Sequence, residues 1–197
     1  PMSERKYLWA ENAYDSPNLA AGFTFFAQFL AHDLTYDMAR RASAGQTQEA
    51  TQEQTSALRL SSLYGPGPEM APHLYAFYDQ EYFSGRLLDS PAGTKQDLPR
   101  NRQGQALIAD PRNAENVVLA QLHLGVLRFH NAMVDLVADS SHSGRALYAE
   151  AKRHVRWHYQ WALVNDFLPQ ISGKDVVEQT LRRSQNTPVS PSPIPLE

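Results

Sequence analysis

Apolar residues recur at helical spacing in three long stretches of the chain. The first runs from about Asn18 to Leu34 and places bulky residues on one helical face, namely Phe23, Phe26, Phe29 and Leu30. The second begins at Asp110, a favourable N-cap that is followed by Pro111, and continues to Val137. Because the second stretch is apolar on most of its surface, we expect it to be the central helix of a larger fold.

The third stretch predicts a helix from about Gly144 to Phe167 that ends at Pro169. A short fourth helix is predicted over residues 174–183. Residues 72–108 contain too many Gly, Pro and Asp residues for a long helix, and residues 74–78 predict a short strand. The fold class is therefore mainly α, with long loops.

Two polar segments interrupt this pattern. Residues 37–56 are rich in Gln, Thr and Ala and predict a surface excursion. Residues 185–197 are rich in Ser and Pro and predict a tail or linker without regular structure. Residues 1–184 therefore make up one predicted domain.

Composition excludes several classes of protein. The 197 residues carry a net charge of −3 without a basic run, which gives no support to a nucleic-acid partner. The absence of cysteine excludes disulfides and thiolate metal sites. No uninterrupted apolar run reaches the roughly 18 residues of a membrane span, and the first residues lack the apolar region of a signal peptide. The compartment stays open.

Two pairs of polar residues stand out on the predicted helices. Gln28 and His32 are four residues apart and share a face, although a hydrogen-bonded core histidine would look the same. Arg112 and Glu115 are three apart at the start of the second helix, where the helix dipole and the guanidinium favour an anion. An ordinary ion pair explains this second pair equally well.

The remaining helical histidines suggest packing more than ligation. His123 and His130 lie seven apart on the second helix. His154 and His158 lie four apart on the third, a spacing compatible with a metal, but adjacent arginines oppose a dication. A helical di-histidine metal protein is therefore a minor alternative.

Taken together, three segments resemble the animal-type haem peroxidases, the myeloperoxidase–cyclooxygenase superfamily, and in particular its bacterial members. Residues 28–33 match a Gln-x-x-x-His-Asp motif around the distal histidine. Residues 110–116 match an Arg-x-x-Glu motif, which continues into Arg-x-His-Asn at residues 128–131. Residues 153–169 are similar to the next family helix. The resemblance spans most of residues 10–180 and implies the family's helical fold.

The resemblance implies that this chain is a haem-dependent peroxidase. His32 would be the distal acid and base, Arg112 would stabilise developing charge, and Gln28 would bind distal water or peroxide. The expected cofactor is haem b, with hydrogen peroxide as oxidant, a small organic or halide donor, and a role in the response to oxidative stress. Ala31 excludes one of the family's ester links to haem, whereas Glu115 leaves the second open.

The family's calcium loop is matched only in part. The corresponding vestigial positions are Asp33, Thr55, Ala57, Arg59 and Ser61. Because Arg59 stands where the family usually has an acidic ligand, we expect no calcium and an Arg59–Asp33 pair in its place.

Length is the largest departure from the family. The proximal haem-ligating histidine of family members lies on a helix beyond the part matched here. The chain is therefore expected to be the distal half of a peroxidase that associates with its C-terminal half or with another copy of itself. The alternative is a catalytically silent helical module that binds no haem.

Overall fold

Helices dominate the part of the chain that the structure describes. The computed structural model describes residues 19–43, 58–78, 82–90, 96–138 and 143–186. The helices are α1 (Gly22–Ser43), α2 (Ser61–Tyr64), α3 (Val117–Val137), α4 (Gly144–Ala162), α5 (Leu168–Ser172) and α6 (Lys174–Asn186). Two strands, β1 (Tyr75–Tyr78) and β2 (Tyr82–Leu87), form a hairpin. The predicted mainly α class is confirmed.

The central helix α3 starts later than its first capping signal suggests. Asp110 caps a separate 3₁₀ turn, Pro111–Ala114, by accepting the backbone N–H of Arg112. Asn116 then caps α3 by accepting the backbone N–H of Leu119 at 2.8 Å. The Asp-Pro signal is thus satisfied by one short turn, and the prediction that the helix begins there is wrong by six residues.

Helix α3 packs against α1, α4 and β2. Its buried side chains are Leu119, Ala120, His123, Leu124, Leu127, His130, Met133 and Val134. Among the described residues it is also the one helix long and apolar enough to cross a membrane. Since 44% of its apolar window is buried inside the protein, a core helix explains the same composition.

Helix α1 is longer than its apolar pattern. It starts at Gly22 rather than near residue 18 and continues to Ser43, into the segment expected to be a surface excursion. Positions 38–41 are Met, Ala, Arg and Arg, which all favour the helical conformation. The helix therefore continues beyond its apolar stretch. Residues 44–57, where the rest of the excursion was expected, lie outside the described residues.

The third helical stretch does not stop at Pro169. A π-helical turn, Leu163–Phe167, follows α4, and α5 then carries Pro169 in its first turn, where a missing N–H is tolerated. The break falls at Gly173, with φ of 89°, and α6 follows directly. Helix α6 extends to Asn186, two residues into the predicted tail, and residues 187–197 lie outside the described residues.

The hairpin confirms the predicted strand and adds one that the pattern missed. β1 and β2 pair antiparallel, with Phe77 opposite Phe83. The second strand touches the start of α4 so closely that a Cβ on Gly144 would lie 1.7 Å from the carbonyl oxygen of Phe83. Gly85, on the same strand as Phe83, has φ of 84° and also lacks room for a side chain. These two glycines permit the contact between hairpin and helix.

An aromatic cluster joins the hairpin to the helices. The rings of Tyr64, Tyr75 and Tyr148 pack edge to face, with centroids 5.6–5.9 Å apart. Buried His130 accepts the Tyr64 hydroxyl at Nδ1 (3.1 Å) and donates from Nε2 to the carbonyl of Gly85 (3.0 Å). Burial, the largest cause, lowers the pKa of His130 to about 4, so it is neutral in the folded protein.

Replacing Gly144 by alanine tests the close contact of α4 with β2. Alanine favours helices, but its Cβ would overlap the strand backbone, so we expect Gly144→Ala to lower the free energy of unfolding by about 2 kcal/mol or more. The control is Gly125→Ala in α3, where a new Cβ meets nothing within 4 Å. That change should raise stability by about 1 kcal/mol. Urea unfolding measures both, and equal effects of the two substitutions would contradict the contact.

His130 makes stability depend on pH. Its folded pKa of about 4 lies below the ordinary value of 6.5, so its contribution is complete above pH 6.5 and is lost as pH falls toward 4. We expect a loss of about 3 kcal/mol from this group over that window. His130→Gln keeps a donor and an acceptor but cannot titrate, so its unfolding free energy should depend less on pH. Parallel pH curves for wild type and variant would refute this origin, and His73→Gln, at an exposed site, is the control.

Candidate functional site

The 3₁₀ turn before α3 presses Arg112 against helix α1. Arg112 Nη2 donates to the backbone carbonyl of His32 at 3.0 Å, and Nη1 donates to Thr35 Oγ1 at 2.9 Å. Asp110 holds the other side of the guanidinium, with 2.7 Å between Nη2 and Oδ2. The structure therefore places the Arg112 guanidinium against the backbone of His32, and a shared role of the two side chains stays a prediction.

His32 is fixed by an amide rather than by a carboxylate. Its Nδ1 lies 2.8 Å from Asn113 Oδ1, and the Nδ2 of Asn113 lies 3.1 Å from Nδ1 of His123. Because Asn113 turns its carbonyl oxygen toward His32, the His32 proton sits on Nδ1 and its Nε2 carries a lone pair. An imidazole held in this tautomer can accept a proton at Nε2.

The network ends on a histidine that stays neutral. Asn113 is 0% and His123 1% exposed. Burial, opposed by the charge of Asp110, lowers the pKa of His123 to about 4. A neutral His123 with a free Nδ1 lone pair accepts the Asn113 amide, which holds the orientation of that amide. Asn113 and His123 thus determine the tautomer of His32 from inside the core.

Arg112 is less available as a free charge than the sequence suggests. Its hydrogen bond to Asp110 is the main cause that raises its pKa, so it stays protonated. Its three nitrogens donate to Asp110, His32 and Thr35, and among the described residues one N–H of Nη1 has no acceptor. The Asp110 carboxylate largely neutralises the positive charge of Arg112. The pair therefore offers a ligand an oriented hydrogen-bond donor rather than a net positive charge.

Gln28 and Glu115 lie at the edge of this arrangement. Gln28 is half-buried one turn before His32, and no hydrogen bond joins it to His32 or Arg112 within the described residues. Glu115 follows the 3₁₀ turn as its C-cap and is exposed, so it is not one helical turn along α3 from Arg112. Its charge nonetheless acts on Arg112 and raises the pKa of that side chain.

The expected calcium positions are described only in part. The buried Asp33 carboxylate accepts the backbone N–H groups of Leu60 (3.0 Å) and Ser62 (3.2 Å). Arg59 is exposed, and Ser61 begins α2. Thr55 and Ala57 lie outside the described residues. Asp33 therefore ties α1 to the segment before α2 through backbone amides.

Metal ligation by the two histidines on α4 finds no support. His154 Nε2 contacts Glu150 Oε1 at 2.9 Å, and His158 Nδ1 donates to the carbonyl of His154. Within the ranges that the structure describes, no three His, Asp or Glu side chains form a group able to hold a metal ion.

An apolar recess lies beside the polar cluster without containing it. It has a volume of about 380 Å³ and opens between the first turns of α1 and α3 and the π turn. Its lining includes Phe23, Phe25, Phe26, Val118, Leu122 and Phe167, with Asp166 at the rim. Gln28, His32 and Arg112 do not line it, so the recess and the polar cluster are neighbouring features on the same helices.

Sequence reasoning missed the residues that hold the site together. Asp110 was interpreted only as a helix cap, and Asn113 and Thr35 were not singled out. The available signal was the run Asp-Pro-Arg-Asn, in which polar residues surround a proline that forces a turn.

Comparison with known proteins bears on the family of the chain. The family model described as animal haem peroxidase matches residues 35–192. Chorion peroxidase from Aedes aegypti is 31% identical over an alignment of 136 residues. The match covers 64% of this chain and 17% of that protein. The chain thus spans less than a fifth of this relative's length, and the expected bacterial subgroup stays a prediction. With four-fifths of its residues matched by the family model, the chain belongs to the animal haem peroxidase family.

Proposed function

We propose that this chain forms the distal side of a haem peroxidase site that reduces hydrogen peroxide while oxidising a small organic or halide donor. The observation that carries the proposal is the arrangement of His32, Arg112 and Asn113, in which Asn113 fixes the His32 ring and the Arg112 guanidinium is held against the backbone of the same residue. Family membership supplies the general activity, and this arrangement supplies the roles.

His32 is the acid and base of the proposed reaction. Its Nε2 accepts the proton of one peroxide oxygen and returns it to the other, so that the leaving group departs as water. Asn113 accepts the Nδ1 proton, so in the neutral ring Nε2 is the nitrogen that carries the lone pair. Asn113 is therefore a positioning residue that acts through His32.

Arg112 stabilises the negative charge that develops on the leaving oxygen. Its contacts with Asp110, Thr35 and the His32 carbonyl fix the guanidinium before substrate arrives, so no reorganisation is needed during the reaction. The remaining Nη1 hydrogen is the group that would reach the oxygen. Gln28, on the turn before His32, would bind water or peroxide beside it.

The donor set fits one face of a haem. Haem, when bound, supplies the redox chemistry. Glu115 presents an exposed carboxylate that would contact the cofactor and is the residue available for one ester link. The apolar recess between the first turns of α1 and α3 suits an apolar group of the cofactor or donor. We further propose that calcium is absent, because backbone amides already engage the Asp33 carboxylate.

The proximal ligand is proposed to come from outside these 197 residues. Within the described part, His123 and His130 are buried in hydrogen-bond networks, and His154 and His158 bond to their own helix. Large apolar side chains are exposed on three helices: Val117, Leu136, Trp161 and Val176. These surfaces support association with the rest of the protein or with a second copy.

Haemin titration of the chain tests the proposal. We expect a saturable Soret shift and slow peroxide turnover that added imidazole, as a substitute proximal ligand, increases. His32→Leu should lower the peroxide rate by about a hundredfold or more, because proton transfer is lost while haemin still binds.

The control for this titration is His158→Gln, at an exposed histidine, which should leave the rate unchanged. Absence of a saturable Soret shift, with or without imidazole, would favour the silent helical module. A normal rate in His32→Leu would remove His32 from the mechanism.

The role of Asn113 is testable without haem. Long-range ¹H–¹⁵N spectra should show His32 as the Nδ1–H tautomer in the wild-type chain. In Asn113→Leu the acceptor is lost, so the two tautomers should mix, whereas in Asn113→Asp a carboxylate oxygen can still accept the Nδ1 proton, so the wild-type tautomer should persist. Unchanged His32 signals in Asn113→Leu would show that Asn113 does not control the tautomer.

A further inference from the structure

One face of α4 packs along the segment that precedes and forms α2. Four side chains spaced four residues apart make up this face: Tyr148, Lys152, Arg156 and Gln160. Gln160 Nε2 donates to the carbonyl of Leu58 at 3.2 Å, and Lys152 Nζ lies 4.7 Å from the centre of the Tyr64 ring. The segment therefore runs antiparallel to the helix between these two anchor points.

Arg59 lies in the chain between the two anchor residues, Leu58 and Tyr64. Leu58 and Leu60, on either side, have positive φ angles of 69° and 57°, which fixes the backbone around Arg59 in an uncommon shape. The charge of Arg59 reaches Lys152, and so does that of Arg156 from the next turn of the helix. Three cationic side chains from two elements thus share one neighbourhood.

Within the described residues, the carboxylates near Arg59, Lys152 and Arg156 do not balance the positive charge of these three side chains. In the ranges that the structure describes, no carboxylate forms an ion pair with Arg59, Lys152 or Arg156. Asp33 approaches the segment from α1, where it accepts the N–H groups of Leu60 and Ser62. Among the described residues, Asp33 is therefore the one carboxylate shown to approach this segment, which carries or faces three positive side chains.

Among the three cationic side chains, the Lys152 ammonium is the one whose charge would be stabilised most by an anion. Its ammonium donates to Tyr148 Oη at 3.3 Å and otherwise lies over the rings of Tyr64 and Tyr148. Burial first, and then the charges of Arg156 and Arg59, lower its pKa to about 8. Buried charges in proteins are normally paired, so a half-buried ammonium between two arginines is an electrostatic deficit that an anion would relieve.

We propose that Arg59, Lys152 and Arg156 form a binding site for a small tetrahedral oxyanion of the phosphate and sulfate class. Two guanidinium groups supply forked N–H donors that match such oxygens, and Lys152 supplies a point charge below them. The exposed Arg59 forms the entrance. The site requires neither haem nor peroxide and stands apart from the proposed peroxidase function.

Calorimetric titration of the full chain with inorganic phosphate, at constant ionic strength, tests the site. We expect saturable binding that Arg59→Gln and Arg156→Gln each weaken by about tenfold or more. The matched control is Arg153→Gln on the same helix, because Arg153 is exposed and already paired with Glu150. Since Arg59 is exposed, its variant is expected to fold. No saturable binding, or equal weakening in the control, overturns the proposal.

A pH series with sulfate, which does not titrate in this range, gives a second readout. The groups that face Lys152 are Arg59 before α2, Tyr64 from α2, His130 from α3, and Tyr148 and Arg156 from α4. Affinity should fall as pH rises from 7 to 9, because Lys152 loses its proton first. Lys152→Met should bind weakly with little change over this range; a variant that keeps the wild-type pH dependence contradicts the role of Lys152.

Vesicles separate the two sources of a phosphate group. Retention on phosphatidylcholine vesicles only when phosphatidic acid is present, and lost in Arg59→Gln, assigns the site to a lipid headgroup. Phosphate binding without vesicle retention assigns it to a free anion. Either result supports the cluster as an oxyanion site.

Discussion

The buried amide of Asn113 is the interaction on which the arrangement of helices around the site depends. It bonds a histidine of α1 on one side and a histidine of α3 on the other. An amide that is 0% exposed cannot lose either partner to water, so each broken bond would leave a buried polar group unsatisfied at a cost of about 1–3 kcal/mol. Relative movement of the two helices is therefore resisted at the point where the chemistry is proposed.

Around this amide, charge is balanced locally rather than across the fold. Asp110 caps the 3₁₀ turn and pairs with Arg112, so one carboxylate serves backbone structure and guanidinium orientation together. Asp33 fixes the backbone at the start of α2 by accepting the N–H groups of Leu60 and Ser62. Lys152 and Arg156 on α4 differ, since neither forms an ion pair with a carboxylate among the described residues.

Helical periodicity predicts the main helices of this fold but not the turns and contacts that connect them. The apolar run of α3 and the Gln28–His32 spacing on α1 require only local geometry, and the structure places them as predicted. These connections depend on tertiary contacts that no window of sequence contains. A capping residue marks the start of a helical element but not its length. Asp110 therefore predicts the start of the long helix equally well, although it caps only the short 3₁₀ turn. Strand β2 was missed because its pairing with β1 and its contact at Gly144 define it.

The π turn after α4 has a consequence for comparing this chain with its relatives. Such a turn holds one residue more than an α-helical turn, so each residue beyond it is rotated by about 100° relative to an uninterrupted helix. The rotation brings Phe167 onto α1, where its ring lies 4.9 Å from that of Phe26 and 6.0 Å from that of Phe23. A homologue one residue shorter between positions 163 and 167 would present a neighbouring residue to α1. Alignments with such a homologue should therefore place a single-residue gap inside the turn, because a gap placed further along would align residues whose side chains point about 100° apart around the helix.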